Sequence, residues 1–380
     1  MSSLKSSNDS LFFNILSSRI GFFIAGIGLS IWAPLVPYVR LHIPMSDATF
    51  GLMLLCIGAG SLCCMPLSAA LTNRFSIRHC LFVVTLILLG ALLSMVTATS
   101  LELLGLALFC FGGSLGVLDV IFNIQALSIE NRANRSMMSN FHGMFSVGTI
   151  VGAVLMIMLL TLGLSALLST LVAIVTILLL SLYAVRGYLD ERTLSGKDAF
   201  IWPNGWILLV GVMCFIVYLA EGVLLDWSAL YLIEDKHIAT AQAGLGYASF
   251  SAMVAIGRFL GDAMVKLFGR VRILVGGGLL ASGGIVLSII STHWGITLLG
   301  FALCGLGCAN VSPVLISSLN QQKHMPTHLA ITAATTIGFA GVLAGPAMMG
   351  AIAHYSSLSS AFAVVAAALL MIAVYGPRFR

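Results

Sequence analysis

The sequence predicts an all-α integral membrane protein whose twelve membrane-spanning helices form two pseudo-symmetric bundles of six. The first observation is composition: 59% of the 380 residues are hydrophobic and 8% are charged, which is too little polar surface for a soluble protein of this size. The second is length, because the apolar segments reach about 20 residues, the number that crosses about 30 Å of hydrocarbon as a helix. The third is an internal repeat.

The apolar segments predict twelve helices that are separated by short polar connections. The first ten residues are polar, and the apolar segment from Leu11 to Val39 has no small-residue cleavage site, so we expect a retained first span. The predicted spans cover residues 12–38, 48–72, 79–98, 101–128, 137–161, 164–187, 205–232, 243–267, 272–291, 295–319, 328–352 and 358–376.

The placement of basic residues predicts the orientation. With the N-terminus inside, fifteen of the 18 lysines and arginines fall on inside flanks, and only Arg40 and Lys236 fall on outside loops. Both termini are therefore predicted to be cytoplasmic. The same placement explains the formal charge of +5 without a nucleic-acid partner.

One polar connector and one repeat predict two halves. The connector, Leu189 to Asn204, divides the chain into an N-terminal bundle (1–188), a cytoplasmic linker (189–204) and a C-terminal bundle (205–380). Residues of the two halves match at a constant offset of 193, as shown by Gly51 and Gly244, Phe75 and Phe268, Gly148 and Gly341, and Gly152 and Gly345. Many secondary transporters are built from such duplications.

The sequence offers no catalytic motif. There is no nucleophile elbow, zinc-protease motif or phosphate-binding loop, so we expect neither an enzyme nor an ATP-driven pump. The eight cysteines form no Cys-x-x-Cys pair and are interpreted as small core residues, without a metal or another cofactor. Coupling to an ion gradient is then the natural source of energy.

A loop motif carries a family resemblance. The segment from Gly257 to Arg272 resembles the signature loop of the major facilitator superfamily, which implies a gating role for Gly257, Arg258, Gly261, Asp262, Gly269 and Arg270. The first-half copy has Ala69 in place of the acid at Asp262, so the resemblance is weaker there.

Three further segments narrow the resemblance. The segments Asp119–Gln125, Ser139–Gly148 and Glu221–Leu232 resemble the YbjJ-type bacterial inner-membrane proteins, which are similar to the fucose permease branch. That branch implies proton-coupled sugar uptake through acids in spans one and four. Asp119 matches the acid of span four, but span one has no acid between Leu11 and Val39, so the two-acid scheme cannot be transferred whole.

Two acids are candidates for proton coupling. Glu221 is preferred because it lies about 24 Å into span seven, near mid-membrane, whereas Asp119 lies towards the cytoplasmic side of span four. Arg258 has two alternative partners, namely an acid of a neighbouring span or Asp262 one turn away on its own helix.

The remaining polar residues within the spans are predicted to line a solute cavity. These candidates are Asn123, Gln125, His142, Asp226, Trp227, Ser228, Tyr231 and Asn310. The predicted protein is a monomer in the lipid bilayer that moves a small polar, sugar-like solute with protons. The alternatives are proton-coupled efflux of amphipathic compounds and a sensor on the same scaffold that transports nothing.

Overall fold

The computed structural model describes residues 2–134, 137–192, 205–319, 322 and 327–379, and every long element within them is helical. The helices are α1 (Ser2–Ser30), α2 (Trp32–His42), α3 (Asp47–Cys64), α4 (Leu67–Arg74), α5 (Ile77–Thr97), α6 (Leu101–Ala133), α7 (Met138–Thr161), α8 (Ala166–Ala184), α9 (Gly205–Glu234), α10 (Leu245–Phe268), α11 (Arg270–Ile290), α12 (Trp294–Cys308), α13 (Val311–Ser318), α14 (Thr327–Tyr355) and α15 (Leu358–Tyr375).

Twelve segments of the described chain are long and apolar enough to cross a membrane, and they confirm the twelve predicted spans. The first span extends further than predicted, from Leu11 to His42, and passes through both α1 and α2. Span ten is interrupted at residues 309–310, where α12 ends and α13 begins, shortly before Pro313. A proline cannot donate a backbone hydrogen bond, and helices are commonly kinked or broken near one.

Serine side chains define the beginning of several spans. The hydroxyl groups of Ser100, Ser165 and Ser357 accept hydrogen bonds from backbone N–H groups three residues later, at 3.1–3.3 Å. These N–H groups have no partner inside the helix, so a serine at this position stabilises the helix start. Helices α6, α8 and α15 therefore begin directly after these serines.

The first compact unit comprises Met1–Ile43 and Cys56–Lys197. Within it, α1 packs along α7, and α5 packs along α6 and α8. Two contacts require glycine: a Cβ atom on Gly148 would collide with the carbonyl oxygen of Phe23, and one on Gly112 would collide with that of Ile57. Small residues allow helix backbones to approach this closely in membranes.

The second compact unit comprises Pro44–Leu55 and Asp198–Arg380. Helix α9 packs along α14, and α11 packs along α12 and α15. A Cβ atom on Gly341 would collide with the carbonyl oxygen of Phe215, and one on Gly305 would collide with that of Phe250. Gly305 and Phe250 lie 193 positions after Gly112 and Ile57, which is the offset of the sequence repeat. The same backbone contact therefore occurs in both units.

Residues 44–55 belong to the second unit, although they lie in the half that the sequence predicts to be the first bundle. The ring of Phe50 packs edge-on against Trp227 of α9, with 5.2 Å between the centroids. The predicted boundaries at 188 and 204 stay a prediction, because residues 193–204 of the linker lie outside the described residues.

Residues 189–192, the described start of the linker, are hydrogen-bonded to the first turn of α5. The backbone N–H groups of Ile77 and Arg78 donate to the carbonyl groups of Glu191 and Leu189 at 2.9 and 3.0 Å. The hydroxyl of Ser76 and the guanidinium of Arg78 hold the pKa of the Asp190 carboxyl below its usual value. The first turn of α5 thus has partners outside its own helix.

Candidate functional site

The first unit carries a line of hydrogen-bonded polar side chains across spans four and five. On α6, the amide nitrogen of Asn123 donates to the backbone carbonyl of Asp119 at 2.8 Å and lies 3.3 Å from its carboxylate oxygen Oδ1. The amide oxygen of Asn123 lies 3.1 Å from Nε2 of His142 on α7. An acid, an amide and an imidazole are thereby connected within apolar segments.

Helical spacing places the two residues of α6 together. Asp119 and Asn123 are four residues apart, so their side chains lie above one another on one face of the helix. On the same helix, Gly112 packs against Ile57 of α3, whereas the Asp119 side chain is accessible.

Helix α1 contributes an arginine next to this line. Nε of Arg19 donates to the side-chain oxygen of Asn140, at the start of α7, at 2.7 Å. One turn further along α1, the ring of Phe22 lies 5.2 Å from the imidazole of His142. Arg19, Phe22, Asn140 and His142 therefore bring α1 and α7 together at one place.

Gln125 lies on α6 but apart from this line. Its side chain is fully buried, and its amide nitrogen donates to the Ser18 hydroxyl at 2.6 Å. Its amide oxygen accepts from the backbone N–H of Leu189 at 3.3 Å. Gln125 joins span one to the residues after span six and lines no accessible space.

The second unit carries an ion pair between spans seven and eight. Nη2 of Arg258 on α10 lies 3.1 Å from Oε1 of Glu221 on α9, and both side chains are partly accessible. Of the two partners that the sequence left open for Arg258, the structure shows the acid of the neighbouring span. The side chain of Asp262 lies outside the described residues.

The glycines of the loop motif serve packing and a turn. The amide nitrogen of Asn310, at the break of span ten, donates to the carbonyl of Gly257 at 2.8 Å, one residue before Arg258. A Cβ atom on Gly261 would collide with the side-chain oxygen of Asn310. Gly269 ends α10 with φ of 77°, a conformation that favours glycine, and Arg270 then begins α11.

The other candidates of span seven lie in the interior of the second unit. Trp227, Ser228 and Tyr231 are fully buried, and Asp226 is 4% exposed. The Tyr231 hydroxyl contacts the Ser359 hydroxyl at 3.1 Å, and that hydroxyl donates to Asp235. The rings of Trp227 and Tyr231 pack against Phe50 and Phe362 of the same unit.

Among the described residues, no group of three or more His, Cys, Asp or Glu side chains could hold a metal ion. The site therefore rests on two separate features, the polar line of the first unit and the ion pair of the second.

Comparison with known proteins identifies the family. The chain is 42% identical over 362 residues to an uncharacterized MFS-type transporter of Yersinia pestis, with 94% of each chain covered. It belongs to the major facilitator superfamily. The family profile, described as Major Facilitator Superfamily, matches residues 210–380. An uncharacterized transporter of Sinorhizobium fredii is 31% identical over 360 residues, covering 94% of this chain and 96% of its own.

Solved structures agree with the major facilitator fold. A D-xylose-proton symporter superposes with a TM-score of 0.75 at 14% identity, covering 97% of this chain and 98% of its own. The nucleoside transporter NupG superposes with a TM-score of 0.74 at 13% identity, covering 96% and 98%. At these identities the likeness shows the fold alone. The protein is a multi-pass membrane transporter of this superfamily and not an enzyme.

Proposed function

We propose that the protein is a secondary active transporter of the bacterial inner membrane that moves a small polar, sugar-like solute together with protons. The observation that carries this proposal is the line from Asp119 through Asn123 to His142. Among the described residues, the carboxylate of Asp119 has only a neutral amide as its side-chain partner, although it lies in a membrane-spanning segment.

A charge within a membrane span is costly, by up to about 2.5–3.5 kcal/mol for an aspartate at the centre of an inserted helix. A proton that binds to Asp119 removes this charge while the hydrogen bond from Asn123 to the backbone remains. The side chain of Asp119 is accessible in the structure. An acid that can be charged or neutral in the same place has the property that proton coupling requires.

Glu221 is the second candidate, and its surroundings differ. Its position near mid-membrane made it the preferred acid in the sequence. The Arg258 guanidinium lies 3.1 Å away, and a neighbouring cation favours the charged form of a carboxylate. For this reason we place Asp119 first as the coupling acid and assign the Glu221–Arg258 pair to the conformational part of the cycle.

The solute class draws support from structures of the same fold. The D-xylose-proton symporter and the nucleoside transporter are named for small polar solutes. We extend this class to the present chain as part of the proposal, together with a monomeric state.

Proteoliposomes that contain a pH-sensitive dye test the coupling. D-xylose, D-glucose, D-glucuronate and uridine are added outside, and proton entry is recorded for the wild type, Asp119→Asn and Glu221→Gln. We expect at least one solute to drive proton entry in the wild type and none to do so in Asp119→Asn, which keeps the shape of the side chain. If Glu221→Gln alone loses proton entry, coupling belongs to span seven; if both variants keep it, the proton mechanism is wrong.

Accessible tags test the orientation. A tag at Ser195, which lies outside the described residues, should react only from the cytoplasm, and one at Asp235 only from outside. Reaction of both tags from the same side would contradict the proposed topology.

A further inference from the structure

Arg19 lies within a membrane-spanning segment, and none of the acidic side chains that the structure describes pairs with it. It is eight residues after Leu11, which places it about 12 Å along the first span at 1.5 Å per residue. Its side chain is partly exposed, and among the described residues its hydrogen bond to Asn140 is the one contact of the guanidinium with a polar group. Arg78, Arg132 and Arg258, in contrast, each lie within 4 Å of a carboxylate.

A cation within an apolar span is normally paired with an acid or a carbonyl group. The partner of Arg19 is a neutral amide, so its positive charge is not neutralised by the described protein. This situation is the opposite of that of Arg258, which has a carboxylate at 3.1 Å.

The hydrogen bond to Asn140 also orients the guanidinium. Of the five N–H groups of an arginine, it occupies the one on Nε and leaves the four on the two Nη atoms for another partner. These groups form a planar fork that matches the oxygens of a carboxylate or a phosphate. Asn140 thus holds the fork in place without neutralising it.

The neighbours of Arg19 connect it to the polar line of the first unit. Phe22, one turn along α1, is buried and stacks on Phe141 at 5.7 Å between centroids, which packs this part of α1 against α7. His142, two residues after Asn140, connects the same place to Asn123. A solute bound at Arg19 would therefore lie next to the exposed side chain of His142, which belongs to the polar line of the first unit.

We propose that Arg19, oriented by Asn140, binds the anionic group of the solute, so that the transported compound is a small organic acid or phosphate ester and not a neutral sugar. This inference rests on the proposed transport function and specifies its substrate class. Arg19 binds the solute directly, and Asn140 is a positioning residue.

Thermal shifts of the purified full chain test the inference with three matched compounds, D-glucose, D-glucuronate and D-glucose 6-phosphate. We expect at least one of the two anions to raise the Tm of the wild type while D-glucose does not. Arg19→Gln should weaken that binding at least tenfold, and Arg19→Lys should do so less because it keeps the charge but loses the fork. Arg378→Gln, which alters an exposed arginine over the Tyr375 ring, is the control and should bind as the wild type does.

Asn140→Asp separates binding from a purely structural contact. The new carboxylate would neutralise Arg19 and also stabilise the N-terminal turn of α7. We expect an unchanged or higher Tm without solute and at least a tenfold loss of anion affinity. A role of Arg19 in helix packing alone predicts that anion affinity does not change.

Three results would overturn the inference: an anion response equal in Arg19→Gln and the wild type, equal responses of the wild type to D-glucose and the anions, or no response to either anion.

The dye assay tests the proposed transport function separately from anion binding. Anion binding that depends on Arg19 without solute-driven proton entry would leave the role of Arg19 intact and refute the coupling. Proton entry driven by a neutral sugar, unaffected in Arg19→Gln, would refute the role of Arg19 and keep the coupling.

Discussion

In the first unit the acid of a membrane span is bonded to an amide, Asn123, while in the second unit it is bonded to a cation, Arg258. The helices around the two acids are packed alike, because the glycine contacts of Gly112 and Gly148 recur at Gly305 and Gly341. The duplication has thus kept the backbone contacts while the side chains have diverged. The first unit has a charge that can be removed by a proton, and the second has a charge that is balanced within the protein.

The largest effect is expected where the units are alike. Gly148→Ala and Gly341→Ala each place a methyl group against a carbonyl oxygen, so each should destabilise its unit by about 1–3 kcal/mol, the usual cost of overpacking. Thermal melts in detergent measure the loss. Gly276→Ala in α11 is the control, since a Cβ atom there has no neighbour within 4 Å, and it should not lower the Tm. A clear loss in only one of the two units would show that the packing is not equivalent.

Arg258→Gln tests the ion pair of the second unit. It leaves Glu221 without its cation and should cost about 1.5 kcal/mol, the low end for a charged hydrogen bond, because 40% of the Arg258 side chain is accessible. The double variant Glu221→Gln with Arg258→Gln removes the stranded charge and should recover part of this loss. An equal Tm of Arg258→Gln and the wild type would mean that the pair contributes no stability.

Asn123→Lys makes the first unit resemble the second. An ammonium group one turn from Asp119 favours the charged carboxylate, as Arg258 does for Glu221. We expect accumulation driven by a pH gradient to fall about tenfold, which corresponds to about 1.4 kcal/mol. Asn123→Ala is the control, because it removes the contact with His142 without adding a charge. If both variants lose accumulation equally, the amide itself is required and the charge is not the cause.

The smallest effect is expected at Asp190, outside the membrane. Ser76 and Arg78 lower the pKa of this carboxyl in the folded protein. The charged carboxylate therefore stabilises the fold at any pH above the pKa of the unfolded chain, which is about 3.9. This stabilisation is lost as the pH falls through the lower pKa of the folded state. Asp190→Asn should lower the Tm slightly at pH 7, and the difference from the wild type should shrink towards pH 3. A difference that does not depend on pH would point to lost packing instead of lost charge.

The sequence predicted the features that depend on length, periodicity and repetition. All twelve spans and the glycine repeat fall into this group, because a helix of about 20 apolar residues is determined locally. The partner of Arg258 could not be chosen, since Asp262 on the same helix and an acid on another helix satisfy the same electrostatic requirement. Only the packing of α9 against α10 brings Glu221 into reach.

Arg19 was missed as a site residue for a related reason. Counting basic residues near the cytoplasmic side assigns it to the orientation signal, and one sequence position does not tell whether a long side chain points along the helix or towards a neighbour. Its distance of eight residues from the start of the span is a signal that could have identified it. Gln125, Trp227, Ser228 and Tyr231 were also predicted to line a cavity; the structure shows all four side chains buried, which polarity alone does not indicate, and their role in a cavity stays a prediction.

The contact between α1 and α7 has a practical consequence for measuring motion. Gly148 holds α7 against the backbone of α1, so the two helices are expected to keep a constant separation for as long as the unit stays folded. The distance between one spin label on α1 and one on α7 should therefore not vary with solute or pH, and it can serve as an internal reference. Any change in a second distance, measured from either label to another helix, can then be read as movement of that helix.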